Sequence, residues 1–264
     1  MLSQINAKFA DARFPVIISE TSLKQFALFL SNYNSKNVVM VVDEIFKRKK
    51  FHPETNFTKI LDRYNIFFIK AGVKNKNFNC VIKICDYINS KNITKDGLIV
   101  SIGGGVIGDI VGFCASIYKR GIKLVHIPTT MTSFVDSCIG GKTGINHLNQ
   151  VNLLGSYYQP EAVFIDTRFL KTLNERDFKS GLVESIKKAI ISDQDFFNFI
   201  YNNSKGILKL NSEKIHELVF KSINSKIYFS ASDIKENYLR LFLNYGHTFG
   251  QSLESYYKIN QNKI

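Results

Sequence analysis

The sequence predicts an α/β N-terminal domain, a doubly wound parallel sheet, followed by an α-helical C-terminal domain. Three observations carry this. Up to Leu173, β-branched apolar runs alternate with segments of helical period, the pattern of βαβ units. Beyond Leu173 the chain is amphipathic at helical period almost throughout. Two glycine-rich segments each follow an apolar run, at the carboxyl ends of strands where parallel sheets bind ligands. The predicted domains are residues 1–173 and 174–264.

In chain order, Lys36–Glu44 (KNVVMVVDE) is a β-branched run closed by two acids, read as a buried parallel strand. Tyr64–Lys70 reads likewise. Phe78–Asn89 has helical period through Val81, Ile84, Cys85 and Ile88. Asp96–Ile102 is the strand before the first glycine loop. A helix-like segment follows, then the apolar run IKLVHIP, a second glycine loop around Lys142, and a short strand at Glu161–Asp166. Glu175–Ile191, Asp195–Leu208 and Ser212–Phe229 read as helices, and Asp233–Tyr257 as mostly helical.

Bulk properties narrow the class. With 264 residues the chain can bury one large core or two smaller ones. No apolar run reaches bilayer length, and the N-terminus shows no basic segment leading into an apolar one, so neither a membrane span nor a secretory signal is expected. The four cysteines form no CxxC pair and read as free thiols of a cytoplasmic protein. The net charge of +13 suits an anionic partner, but the lysines are scattered without interleaved aromatics, which argues against nucleic acid and for a solvated lysine-rich surface.

Gly103, Gly105 and Gly108 satisfy G-x-G-x-x-G between a strand and a helix, a layout that brings backbone N–H groups to a pyrophosphate. The motif alone also describes a tight turn packing a helix on a sheet. The acid expected about 20 residues on is missing; Asp43, on an earlier strand, is the candidate for a ribose hydroxyl. The second loop carries Asp136, Lys142 and Asn152. Its lysine among glycines suits a phosphate, although the spacing is not that of a Walker A loop. Glu184 and Lys187 share a helix face, as do Arg240, Asn244 and His247 if their segment is helical. A carboxylate and a histidine are possible zinc ligands, while a single histidine is commonly structural.

GGGVIGD, IPTT with VDS and IGGKTGIN, YYQP with ID, and LN with GHTFG, in this order, resemble the 3-dehydroquinate synthases, a family of sugar-phosphate cyclases, over about Lys36 to Glu254. The resemblance implies Rossmann-like NAD binding, a divalent metal (zinc or cobalt) between the domains, and a homodimer in the cytoplasm serving the shikimate route to chorismate and aromatic amino acids. The implied substrate is 3-deoxy-arabino-heptulosonate 7-phosphate, which the family converts to 3-dehydroquinate by transient oxidation, phosphate elimination, reduction and aldol closure. By motif position, Glu184 and His247 would be metal ligands. Lys142, Asn152, Lys187 and Asn244 would hold phosphate or hydroxyls, and Lys226 and Arg240 the carboxylate. Asp136 would contact substrate, and Arg120 would reach a partner's site. Asp43, Lys76, Gly105, Val106, Ile107, Gly108, Asp109, Thr129, Thr130, Lys142, Phe169, Leu170, Lys171 and Thr172 would meet NAD.

Four departures from the family pattern carry expectations. The third metal ligand, a histidine after GHTFG, is not found before Ile264; Gln251, Val151 and Val73 replace a histidine, a lysine and a glutamate. The chain is therefore expected to be a truncated form with exposed apolar surface, weak zinc binding and little activity on its own. A metal-dependent NAD polyol dehydrogenase is the competing reading, and a non-catalytic nucleotide-binding fragment a third. A cyclase for another sugar phosphate is disfavoured by Lys226 and Arg240, which suit a carboxylated substrate.

Overall fold

The computed structural model describes residues 1–48, 57–250, 252, 253 and 256. The chain opens with an antiparallel hairpin of β1 (Leu2–Lys8) and β2 (Arg13–Ser19), followed by α1 (Ser22–Leu30). Then come β3 (Val38–Asp43), α2 (Phe57–Leu61), β4 (Asn65–Ile69), α3 (Phe78–Ser90), β5 (Leu98–Gly103), α4 (Gly105–Ile117) and β6 (Lys123–Pro128). A second hairpin, β7 (Lys142–His147) and β8 (Gln150–Tyr157), precedes β9 (Ala162–Ile165). The helical part comprises α5 (Glu175–Ser192), α6 (Gln194–Asn202), α7 (Ser204–Leu208) and α8 (Ser212–Ser230).

The main sheet has the order β1-β2-β9-β6-β5-β3-β4, and every pairing except β1 with β2 is parallel. The α/β expectation therefore holds, with an antiparallel strand added at one edge. Strand periodicity divides the sheet into two apolar faces. Val39, Val41, Ile99 and Leu124 pack with α3 and α4. Val38, Met40, Val42, Val100 and Val125 pack into a second cluster that also takes Phe26 of α1, Leu182 of α5, Phe196 of α6 and Val219 of α8. The helical part is thus seated on the open face of the sheet, and one core runs across Leu173. Asn174 and Asn211 start α5 and α8 by accepting backbone N–H bonds at 2.8 and 3.1 Å.

Three stretches differ from the sequence reading. The second glycine loop is shorter than expected: from Lys142 the chain forms a hairpin whose two-residue turn, Leu148–Asn149, has both φ positive (46° and 61°), as a type I′ turn requires. The segment read as one helix over Asp195–Leu208 breaks at Asn203. The expected helix over Asp233–Tyr257 does not form as such. Asp233 draws the backbone N–H groups of Asn237, Tyr238 and Arg240 to its carboxylate, giving a compact loop. A 3₁₀ turn at Leu239–Asn244 follows, Gly246 turns the chain at φ 80°, and helix resumes over 247–250. Gln251 lies outside the described residues, as do 257–264.

Candidate active site

The carboxyl ends of β3, β5 and β6 bring Asp43, the first glycine loop and Thr129–Thr130 to one edge of the sheet. Asp43 accepts from Ile45 N at 3.1 Å, and burial pushes its carboxyl upward. Gly104 caps α4 without a side-chain acceptor, so N–H groups of the first turn remain available to an anion. The tightness of the loop serves the fold itself. A Cβ on Gly103 would lie 2.6 Å from Ile107, one on Gly104 2.9 Å from Thr130, and one on Gly105 2.9 Å from Ser137. Gly108 faces His126 with ordinary clearance. Of the four-residue segment expected against a cofactor, Phe169 and Leu170 have their side chains in the core, Phe169 edge-on to Phe46 and Phe57. Apolar packing has claimed those two side chains, which leaves their backbone, together with Lys171 and Thr172, to face a ligand.

Beside this edge lie two adjoining clefts of about 410 and 310 Å³ that share Asp109, Lys142, Asn152 and Glu236. The smaller also takes Asp136, Lys187, Lys226, Arg240, Asn244 and His247. Residues from β7, β8, α5, α8 and the 239–244 turn thus converge. Arg240, Asn244 and His247 meet here although no helix face aligns them.

Basic groups at the clefts are held by acidic partners. Lys76 donates to Asp109 at 2.5 Å and to Asn152. Lys142 pairs with Glu236, whose other oxygen accepts from Asn244 at 3.0 Å. Asp136 Oδ1 receives both Lys188 and Lys226 at 2.8 Å. Burial would raise the Asp136 carboxyl, but these two ammoniums hold it well below the usual range. Burial lowers Lys226 to about 8. Arg240 is 1% exposed and donates to Gly140 O at 2.9 Å and Ile234 O at 2.8 Å, leaving its buried Nε without a partner.

Glu184 and His247 converge from two elements on one cationic group: Lys187 Nζ lies 2.6 Å from Glu184 Oε2 and 3.1 Å from His247 Nε2. A carboxylate and an imidazole around a shared positive centre fit a divalent metal in donor chemistry. Among the described residues no set of three His, Cys, Asp or Glu side chains is assembled for a metal. Arg120 stands apart, exposed in the turn after α4 at φ 64° and outside both clefts.

Sequence reasoning missed two residues here. Glu236, which holds Lys142 and Asn244, sits four before Arg240 in a polar loop. Lys188 had a visible signal in its i, i+4 spacing from Glu184. An apolar cleft of about 690 Å³ lies among Tyr238, Leu241, Phe242, Tyr245 and Phe249, with Tyr238 and Phe249 80% and 81% exposed.

A parallel sheet with an anion-ready helix start, adjoining a cleft of basic residues closed by a helical layer, suits an enzyme of anionic small molecules. Residues 66–180 match the model for the 3-dehydroquinate synthase N-terminal region, and 181–263 that for its C-terminal region. The 3-dehydroquinate synthase of Dictyoglomus turgidum is 37% identical over 257 residues, covering 96% of this chain and 70% of that protein. The chain belongs to the 3-dehydroquinate synthase family. A crystal structure of 2-deoxy-scyllo-inosose synthase with carbaglucose-6-phosphate, NAD+ and Co2+ superimposes with a TM-score of 0.81 at 27% identity, covering 96% of this chain and 69% of that one. An iron-containing alcohol dehydrogenase from Thermotoga maritima (TM-score 0.66, 15% identity, 88% and 70% covered) shares the fold.

Proposed function

We propose that this chain is a 3-dehydroquinate synthase, a phosphate-eliminating lyase that closes 3-deoxy-arabino-heptulosonate 7-phosphate to 3-dehydroquinate. The observation that carries the reading is the set of Lys142, Lys187, Lys226 and Arg240 around one cleft beside the anion-ready start of α4. A simple polyol offers these cations no anionic group, whereas a substrate bearing both phosphate and carboxylate does.

Bound NAD would supply reversible hydride transfer and a bound divalent metal, zinc or cobalt, would polarise the reacting hydroxyl. Asp43, the α4 first turn and Thr129–Thr130 hold the nucleotide. Glu184 and His247 hold the metal. Lys142 and Asn152, steadied by Glu236 and Lys76, take the phosphate. Lys226 and Arg240 take the carboxylate, with Lys187 and Asn244 on hydroxyls or phosphate and Asp136 on a hydroxyl. Residues 1–173 form the nucleotide domain and 174–264 the helical metal and substrate domain. The exposed position of Arg120 supports a homodimer in which it serves the partner's cleft; we place the enzyme in the cytoplasm. No helix among the described residues is long and apolar enough to cross a membrane.

Phosphate release from the heptulosonate phosphate, with NAD and zinc added and no net NADH formed, is the expected result. Sustained absorbance at about 340 nm from NADH with a simple polyol, and no phosphate release, would transfer the chain to the dehydrogenases.

A further inference from the structure

Lys188 is fully buried and lines neither cleft. Its Nζ donates to Asp136 Oδ1 at 2.8 Å from the α5 side, while Lys226 donates to the same oxygen at 2.8 Å from α8. Glu184 lies 3.7 Å away on the next turn of α5. Asp136 itself lines the smaller cleft. Burying an ammonium behind a pocket wall is unfavourable, and an apolar side chain of similar length would avoid that cost.

The charge count shows what the ammonium supplies. Glu184 is itself matched by Lys187 at 2.6 Å, so the two cations on Asp136 leave one positive charge in surplus at the wall. With Lys226 alone the pair would be neutral and its pull on an anion correspondingly weak. The geometry adds a second effect. Gripped at Oδ1 from two helices, the Asp136 carboxylate cannot rotate, and Oδ2 is left for a ligand in the cleft.

We infer that Lys188 is a positioning residue of the substrate site: from behind the wall it fixes Asp136 and provides the surplus charge through which Lys226 attracts the substrate's anionic group. This deepens the proposed function and rests on it.

The test is calorimetric titration of the NAD-saturated chain, kept free of divalent metal by a chelator so that the sugar phosphate is not turned over, with 3-deoxy-arabino-heptulosonate 7-phosphate, comparing wild type with Lys188→Met and Lys188→Gln. Both neutral variants should bind the sugar phosphate about ten-fold more weakly or worse, with NAD affinity unchanged. Lys188→Arg, which keeps the charge, should stay within about three-fold of wild type. A merely structural lysine would not split the two ligands in this way. If Lys188→Met does not fold, Lys188→Gln, which retains an N–H for Oδ1, carries the comparison. Folded neutral variants that bind like wild type, or that lose NAD and sugar phosphate together, overturn the role of Lys188 alone. A wild type that does not bind the sugar phosphate overturns the proposed function and this role with it.

Discussion

Replacing Arg240 by Met gives the most direct reading of how the cleft is held together. The guanidinium is 1% exposed and spans two backbone carbonyls, Gly140 O at 2.9 Å and Ile234 O at 2.8 Å. Each charge-assisted bond contributes about 1.5–3 kcal/mol. Part of this is offset, because burial already disfavours the charged form and lowers the pKa of Arg240. The expected net loss is about 2–3 kcal/mol. At about 2–4 °C per kcal/mol for a chain of this size, Arg240→Met should melt roughly 4–12 °C below wild type by calorimetry. The cleft should suffer beyond stability. Gly140 (φ 94°) and Gly141 (φ 68°) lead directly into Lys142, so a loosened loop misplaces the proposed phosphate-binding ammonium. Sugar-phosphate affinity should fall while NAD affinity holds. Arg240→Lys should recover only part of the melting temperature, because a point charge cannot reach both carbonyls. A Met variant melting within about 2 °C of wild type would refute the claim that this side chain ties the loop down.

Other consequences are separately measurable. Gly155→Ala places a Cβ 2.3 Å from Thr143 O on the facing strand; overpacking of about 1–3 kcal/mol should appear as a lower melting temperature and weakened phosphate binding through Lys142 and Asn152, and an unchanged variant would show that the hairpin yields freely. His126, buried and bonded to Ser101 at 2.6 Å, has its pKa lowered to about 4 by burial, from an ordinary 6.5. The unfolded chain takes up this proton near pH 6.5 and the folded chain only near 4, so stability is complete above the upper value and declines as pH falls between them. The loss amounts to about 3 kcal/mol. His126→Asn should flatten that part of the melting-temperature profile, and an identical profile would remove His126 as its source. Burial pushes the Cys138 thiol strongly up, and Cys114 is raised by its contact with Cys85 and by burial. Neither should react with a thiol-specific disulfide reagent until the chain unfolds; rapid labelling of either in the native protein would contradict their placement.

The buried strands were legible because parallel strands with both faces covered must be apolar along their length: Val38–Val42 and Leu98–Val100 admit few other readings. The hairpins were hidden for the opposite reason. Leu2–Lys8 has one polar, exposed face, and β8 is mostly exposed, so their pairing depends on partners far along the chain or on the left-handed turn at Leu148–Asn149. The spacing of Arg240, Asn244 and His247 suggested one helix face. They meet in the cleft, but through a loop organised by Asp233, a carboxylate whose preference for nearby backbone donors no hydrophobic period records. Lys188 escaped notice for a related reason: its spacing from Glu184 was visible, but Asp136, the carboxylate it holds, lies 52 residues away along the chain.

The internal ion pairs of the cleft give ligand binding the character of an exchange. Lys142, Lys76 and Lys226 already hold Glu236, Asp109 and Asp136. On the proposed assignment, an anion arriving at Lys142 competes with Glu236 for the same ammonium, and a weakly charged one competes poorly. The same tethered carboxylate stays within reach throughout turnover. If Lys142 takes the phosphate as proposed, Glu236 is the carboxylate placed to reclaim it once the phosphate has left.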